Sequence, residues 1–211
     1  MMCLLTSIIL GPGHPAAADK DADFKQYLGQ AKSQIDQKNY DLALENLKRA
    51  YNLKPRNYQV NMAMGSLYYD LGSLKEAYSF LSQAAVVNPQ SYDANLAAGV
   101  AHRRTGHFAS SLEFLTKASA LKPEEATPYF EIGNIYYSGY GDVEKAMFYF
   151  QKAQTLNPGE PRNNQALGVI YAKTGDAAKA REYLGKAREI YQSQGNEKRV
   201  KEVDDILKKL S

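Results

Sequence analysis

The sequence predicts an all-α chain built as a solenoid of antiparallel helix pairs, on three observations. Pro55, Pro89, Pro123 and Pro158 recur at intervals of 34, 34 and 35 residues, and each closes the same phrase: LKRAYNLKP, LSQAAVVNP, LTKASALKP and FQKAQTLNP. A fixed period of this size marks stacked supersecondary units and not one layered core. Between the prolines, apolar residues recur at helical rather than strand spacing. A second break divides each unit in two, at Gly72, Gly106, Gly141 and Gly175, with Lys38 taking that place in the first unit.

Alignment on the prolines gives windows 24–57, 58–91, 92–125, 126–160 and 161–194, each read as helix A, tight turn, helix B, tight turn. Glycine suits the residue just past helix A because it enters the left-handed region without a Cβ clash. Proline ends helix B because it lacks an N–H and pushes its predecessor out of the α region. Mid-helix A is small in every window: Ala31, Gly65, Gly99, Gly133 and Gly168. Helix B carries two small sites, first Ala43, Ala77, Ser111, Ala146 and Ala180, then Ala50, Ala84, Ala118, Ala153 and Ala187. An interior glycine costs about 1 kcal/mol relative to alanine, so its recurrence implies a neighbouring helix too close for a side chain. Leu47, Leu81, Leu115, Phe150 and Leu184 of helix B, with Tyr68, Tyr136 and Tyr171 of helix A, fill the space around these sites. The fourth window has one extra residue within SGYGD (138–142), expected to lengthen its A–B turn.

Neither end repeats the pattern. In residues 196–210, Val200, Val203, Ile206, Leu207 and Leu210 form one apolar stripe backed by charge, as expected of a helix that caps the open flank of a terminal repeat. At the other end, the apolar run CLLTSIIL (3–10) is followed by GPGHP, AAA and the charged DKDAD. A short apolar segment ending in a small-residue site is the form of a secretory signal. The expectation is a signal peptide over 1–18 cleaved after Ala18, a short linker over 19–23, and residues 1–20 outside the solenoid. No Lys or Arg precedes Lys20, so the usual basic start is missing. Export to the periplasm or medium is the expectation, and a cytoplasmic chain the alternative if the segment is not a working signal. The run is too short to span a bilayer, which needs about 20 apolar residues.

With its small–aromatic–alanine–proline register running through five windows over residues 24–194, the proline in four of them and the tyrosine in three, the chain resembles the tetratricopeptide repeat family. The resemblance implies a right-handed superhelix whose A helices line a concave, partner-binding face. The positions pointing into it would be Leu28 and Lys32, then Met62, Ser66 and Tyr69, then Leu96, Val100 and Arg103. Phe130, Asn134 and Tyr137 follow, and then Gln165, Val169 and Lys173. Aromatic and arginine anchors dominate interface energies, and an apolar, aromatic groove suits an amphipathic helix or an extended apolar segment. There are departures: Asn61, Asn95 and Asn164 stand where a bulky residue opens helix A (Tyr27 and Tyr129 keep it), and His102 and Gln34 replace tyrosine. The two-carboxylate clamp by which some members hold chaperone tails maps onto Leu28, Lys32, Ala63, Asp93 and Ala97, where one residue is basic and Asp93 repels a carboxylate.

Chemistry is nearly absent. His102 and His107 straddle a helix end and do not form the one-face pair a metal wants. Glu124–Glu125 and Asp204–Asp205 are adjacent and point apart. No phosphate loop or nucleophile elbow is present. Cys3 is the only cysteine of the 211 residues, so a chain cleaved after Ala18 has no thiol chemistry. A net charge of +3 with signs alternating along the helices reads as a solvated surface, not a nucleic-acid footprint. Arg103–Arg104 reads first as a solvated helix end that complements the dipole. The expectation is a non-catalytic scaffold for a protein or peptide partner in assembly of an envelope or secretion complex. It carries no cofactor, metal, nucleic acid, small-molecule substrate or stable membrane insertion. The alternative is a helical-repeat RNA-binding protein.

Overall fold

The structure is a computed structural model and describes residues 16–210. Its described elements are all helical: α1 (Ala16–Asp36), α2 (Tyr40–Leu53), α3 (Tyr58–Asp70), α4 (Leu74–Val87), α5 (Tyr92–Arg104) and α6 (Phe108–Leu121) lead into α7 (Ala126–Asn134). After α7 comes a π-helical turn (Ile135–Tyr140), then α8 (Val143–Leu156), α9 (Pro161–Thr174), α10 (Ala177–Ser193) and α11 (Glu197–Lys208). Each odd helix from α1 to α9 packs on the even helix after it, and each even helix packs on the next pair. This is the stacked A/B architecture, closed by α11 on α10.

A recurring left-handed turn helps to set the period. After α1, α3, α5, α9 and α10 the chain enters the left-handed region at Lys38, Gly72, Gly106, Gly175 and Gly195. The following N–H then reaches back five residues, as in Asn39 to the Gln34 carbonyl (2.8 Å), His107 to that of His102 (2.9 Å) and Asp176 to that of Tyr171 (2.9 Å). These bonds satisfy carbonyls that a helix end leaves orphaned. In the fourth window the extra residue is absorbed as one wide turn: Asp142 N–H reaches the Tyr136 carbonyl, six residues back, at 2.8 Å.

Between the helices of a pair, mid-A glycine admits the large residue of helix B. A Cβ at Gly65 would lie 2.5 Å from Leu81 Cγ, at Gly99 2.6 Å from Leu115 Cγ, at Gly133 2.7 Å from Phe150 and at Gly168 2.6 Å from Leu184 Cγ. The small sites of helix B, from Ala43 and Ala50 to Ala180 and Ala187, are fully buried. Helix α11 buries Val203 completely, beside Leu184, Ala187 and Tyr191 of α10.

The start of α1 departs from expectation. Residues 19–23, expected as a linker, are helical, and α1 begins at Ala16, inside the segment expected to lie outside the solenoid. Alanine is the strongest helix former, and Asp19 lies in the first turn, where the helix dipole favours an anion. Asp21 then pairs with Lys54 at 2.7 Å, tying α1 to the end of α2, and Lys54 also lies over the Phe24 ring at 4.7 Å. The apolar run 3–10, Cys3 and the larger part of the expected signal lie outside the described residues.

Candidate functional site

The A helices present their free faces side by side, and three hollows follow one another along them. The first, about 560 Å³, lies between α1 and α3 and includes Leu28 and Lys32 with Phe24, Lys25 and Ala63. The second, about 380 Å³, lies between α3 and α5 and is lined by Met62, Ser66, Tyr69, Leu96 and Val100, with Asp70, Asp93, Leu81 and Ala97. The third, about 390 Å³, lies among α5, α7, α9 and α11 and includes Arg103, Phe130, Asn134, Tyr137, Gln165 and Val169. Every residue expected on this face except Lys173 therefore lines a hollow, and none of the fourteen is buried. Lys173 lies over the Tyr137 ring at 5.0 Å.

The aromatic anchors are held by cations from the next A helix. Arg104 lies over Tyr69 (5.1 Å) and donates Nη1–H to its hydroxyl (3.1 Å); Arg162 lies over Phe130 (5.2 Å). Such contacts are worth about 0.5–1 kcal/mol at exposed sites. They fix each ring without covering it, so that Tyr69, Phe130 and Tyr137 remain partly accessible.

Arg103 and Arg104 are not a merely solvated helix end. Arg103 Nε pairs with Glu131 Oε2 at 2.6 Å, and Glu131 is only 7% exposed. A buried carboxylate needs a partner, so Arg103 is committed inside the molecule and is not a free anchor for an acidic ligand. Arg162 and Arg199, also in the third hollow, pair with Glu160 (2.9 Å) and Glu202 (2.7 Å). Sequence reading missed Asp70, Glu131, Arg162 and Arg199 as lining groups. Asp70 and Glu131 stand on A helices beside residues that were chosen, so the register held the signal; Arg199 comes from the cap, which no repeat register reaches.

The histidines lie closer than their spacing suggested. The turn at Gly106 brings the His102 and His107 rings to 5.7 Å. Burial, and then the His107 charge, hold His102 below its ordinary value of 6.5. Among the described residues, no group of three or more His, Cys, Asp or Glu is placed to hold a metal ion.

Two family models described as tetratricopeptide repeat match the chain, one over residues 34–90 and one over 126–160 and 161–194, together more than half of it. The chain belongs to the tetratricopeptide repeat family. Its right-handed superhelical fold is shared by solved tetratricopeptide structures. MamA is similar at 25% identity (TM-score 0.72), covering 79% of this chain and 96% of MamA. PilF of Pseudomonas aeruginosa is similar at 16% identity (TM-score 0.67), covering 91% of this chain and 93% of PilF. YrrB, described as a tetratricopeptide protein with an unusual peptide-binding site, is similar at 21% identity (TM-score 0.69), covering 82% of this chain and 90% of YrrB. No curated protein matches the sequence. The tetratricopeptide fold points to a protein-interaction scaffold with a protein or peptide partner. Among the described residues, no helix is long and apolar enough to cross a membrane.

Proposed function

We propose that this tetratricopeptide protein is a non-catalytic scaffold that holds a segment of a protein partner along its A-helix face, in assembly of an envelope or secretion complex. One observation carries the reading: accessible apolar and aromatic side chains line three consecutive hollows on that face. Rigid aromatic anchors in pockets supply most of the energy of an interface, and a continuous groove suits an extended segment or an amphipathic helix. Export rests on the apolar run 3–10 and the AAA before DKDAD, and N-terminal sequencing of the protein from a fractionated cell tests it.

The groove is tested by capture of partners from the envelope fraction with the parent and single variants. Phe130→Ala and Tyr137→Ala are expected to weaken capture, each by about 1–2 kcal/mol, with the helical circular-dichroism signal unchanged. Lys75→Ala, on the exposed face of α4, is the control and is expected to be silent. Capture lost on Lys75→Ala but kept by both groove variants would place the binding surface on the B helices. Capture of single-stranded RNA with a steep salt dependence would instead support the nucleic-acid reading.

A further inference from the structure

The hollow between α3 and α5 differs from its neighbours in the chemistry of its rim. Its floor is apolar, formed by Met62, Leu81, Leu96, Ala97 and Val100, and its only charged lining residues are Asp70 and Asp93. Both carboxylates are exposed, and neither takes part in an ion pair among the described residues. Asp93 stands in the first turn of α5, where the helix dipole favours it. Asp70 is the last residue of α3, where the helix already concentrates negative potential, so its charge is unfavourable unless a cation comes to it.

The two carboxylates bracket the hollow. The helices α3 and α5 occupy equivalent places in successive repeats and run parallel, so Asp70 stands at one end of the apolar floor and Asp93 at the other. Asp93 lies level with Gln59 of α3, one 34-residue period earlier and eleven residues before Asp70, so at 1.5 Å of rise per residue the two carboxylates stand about 16 Å apart along the helices. Arg104, the cation at the Tyr69 end, is already held on the Tyr69 ring and hydroxyl. The sign reverses in the hollow toward the N-terminus, lined by Lys25 and Lys32. In the hollow toward the C-terminus each arginine already holds a carboxylate.

Building on the groove reading, we infer that the α3–α5 hollow takes a basic–apolar–basic segment of the protein partner. One or two apolar side chains seat on Met62, Leu96 and Val100, and a Lys or Arg on each side reaches Asp70 and Asp93. That span fits cations about five residues apart in an extended segment, or about eleven apart on one face of a helix. Apolar contact supplies most of the affinity, and the carboxylates set the register and reject acid-flanked segments.

The test is selection of a randomised displayed peptide library on the full chain and on the Asp70→Asn/Asp93→Asn double variant. The parent is expected to enrich sequences with Lys or Arg on both sides of an apolar core, and the double variant to lose that enrichment. A fluorescein-labelled peptide from the parent selection is expected to bind the double variant about tenfold more weakly in low salt, and the difference to shrink as salt screens the pairs. Thermal melts establish that the double variant is folded. Parent-selected peptides without basic flanks, or the same peptides chosen by both proteins, overturn the assignment. If such peptides still lose binding on Tyr137→Ala, the groove reading stands and this inference alone falls. If no A-helix substitution affects selected peptides, or none is selected, the groove reading falls with it.

Discussion

Each A/B pair carries one matched couple twelve or thirteen residues apart. Tyr68 stacks on Phe80 (5.7 Å between centroids, 8° between planes), Tyr136 on Tyr149 (5.5 Å, 7°), Tyr171 on Tyr183 (5.5 Å, 16°) and His102 on Phe114 (5.4 Å, 14°). In the first pair Asn46 donates to Gln34 at 2.9 Å instead, so both partners change chemistry together. His102 also keeps a polar link: its Nε2 meets Ser82 Oγ at 2.9 Å, where Gln151 donates to the Tyr171 hydroxyl at 3.3 Å in the equivalent place. The asparagines that open helix A are likewise substitutes with a function. Asn61 donates to the Pro55 carbonyl (2.8 Å), Asn95 to that of Pro89 (3.1 Å) and Asn164 to that of Pro158 (3.3 Å), as the Tyr129 hydroxyl does to that of Pro123 (3.3 Å). One prediction belongs at this scale. His102 is held below 6.5 in the fold, so the unfolded chain binds the extra proton first as the pH drops. Stability from the neutral ring is therefore complete above 6.5 and falls as pH drops through 6.5 toward the folded-state value. The loss is about 1.4 kcal/mol for each unit by which the value is displaced. Chemical denaturation from pH 7.5 to 5 is expected to show this slope in the parent and a smaller one in His102→Tyr. An equal slope in both proteins removes His102 as its source.

At the scale of the element, the turn after helix A tells how far the sequence could be read. Glycine in four windows marked a left-handed residue, and the same register assigned it to Lys38, the one non-glycine with positive φ among the described residues (φ 61°). A side chain in that region costs roughly 1–2 kcal/mol, so Lys38→Gly is expected to stabilise the chain by about 1 kcal/mol in urea unfolding. Gly106→Ala, at the same point of the third window (φ 78°), is expected to destabilise by a similar amount. A destabilised Lys38→Gly would mean that the lysine side chain contributes more than its backbone strain costs. Helix ends, small sites and the cap were legible because each depends on local sequence or on a register repeated five times. Two features were not. The extra residue near Gly139 could lengthen a loop or widen a helix, and tertiary packing chose the π turn. A Cβ at Gly139 would come within 2.9 Å of Phe108, so the widened turn closes onto the preceding repeat. The start of α1 competed with a targeting pattern built from the same alanines, and residues 16–23 satisfy helix propensity as well as they satisfy that pattern.

Across the whole molecule, register alone identified which residues share the A-helix face, but not their pairing. Whether Arg103 is free or bound to Glu131 depends on an i to i+28 contact between repeats, which no helical period encodes. The same one-dimensional logic governs stability, because each repeat touches only its neighbours and the last depends on its cap. Helix α11 buries Val203 against α10, and Arg188 of α10 pairs with Asp204 of α11 at 2.6 Å. Val203→Asp places an unpaired carboxylate in that contact, which costs several kcal/mol locally. In a globular core such a loss lowers protection everywhere; in a solenoid it is expected to concentrate at the nearest end. Hydrogen exchange on the full-length variant is expected to show α11 and α10 opening most, α9 partly, and α3 to α6 close to the parent. Uniform loss of protection from α1 to α11 would show instead that the five repeats fold as one cooperative unit, whose cap stabilises distant repeats as strongly as its neighbour.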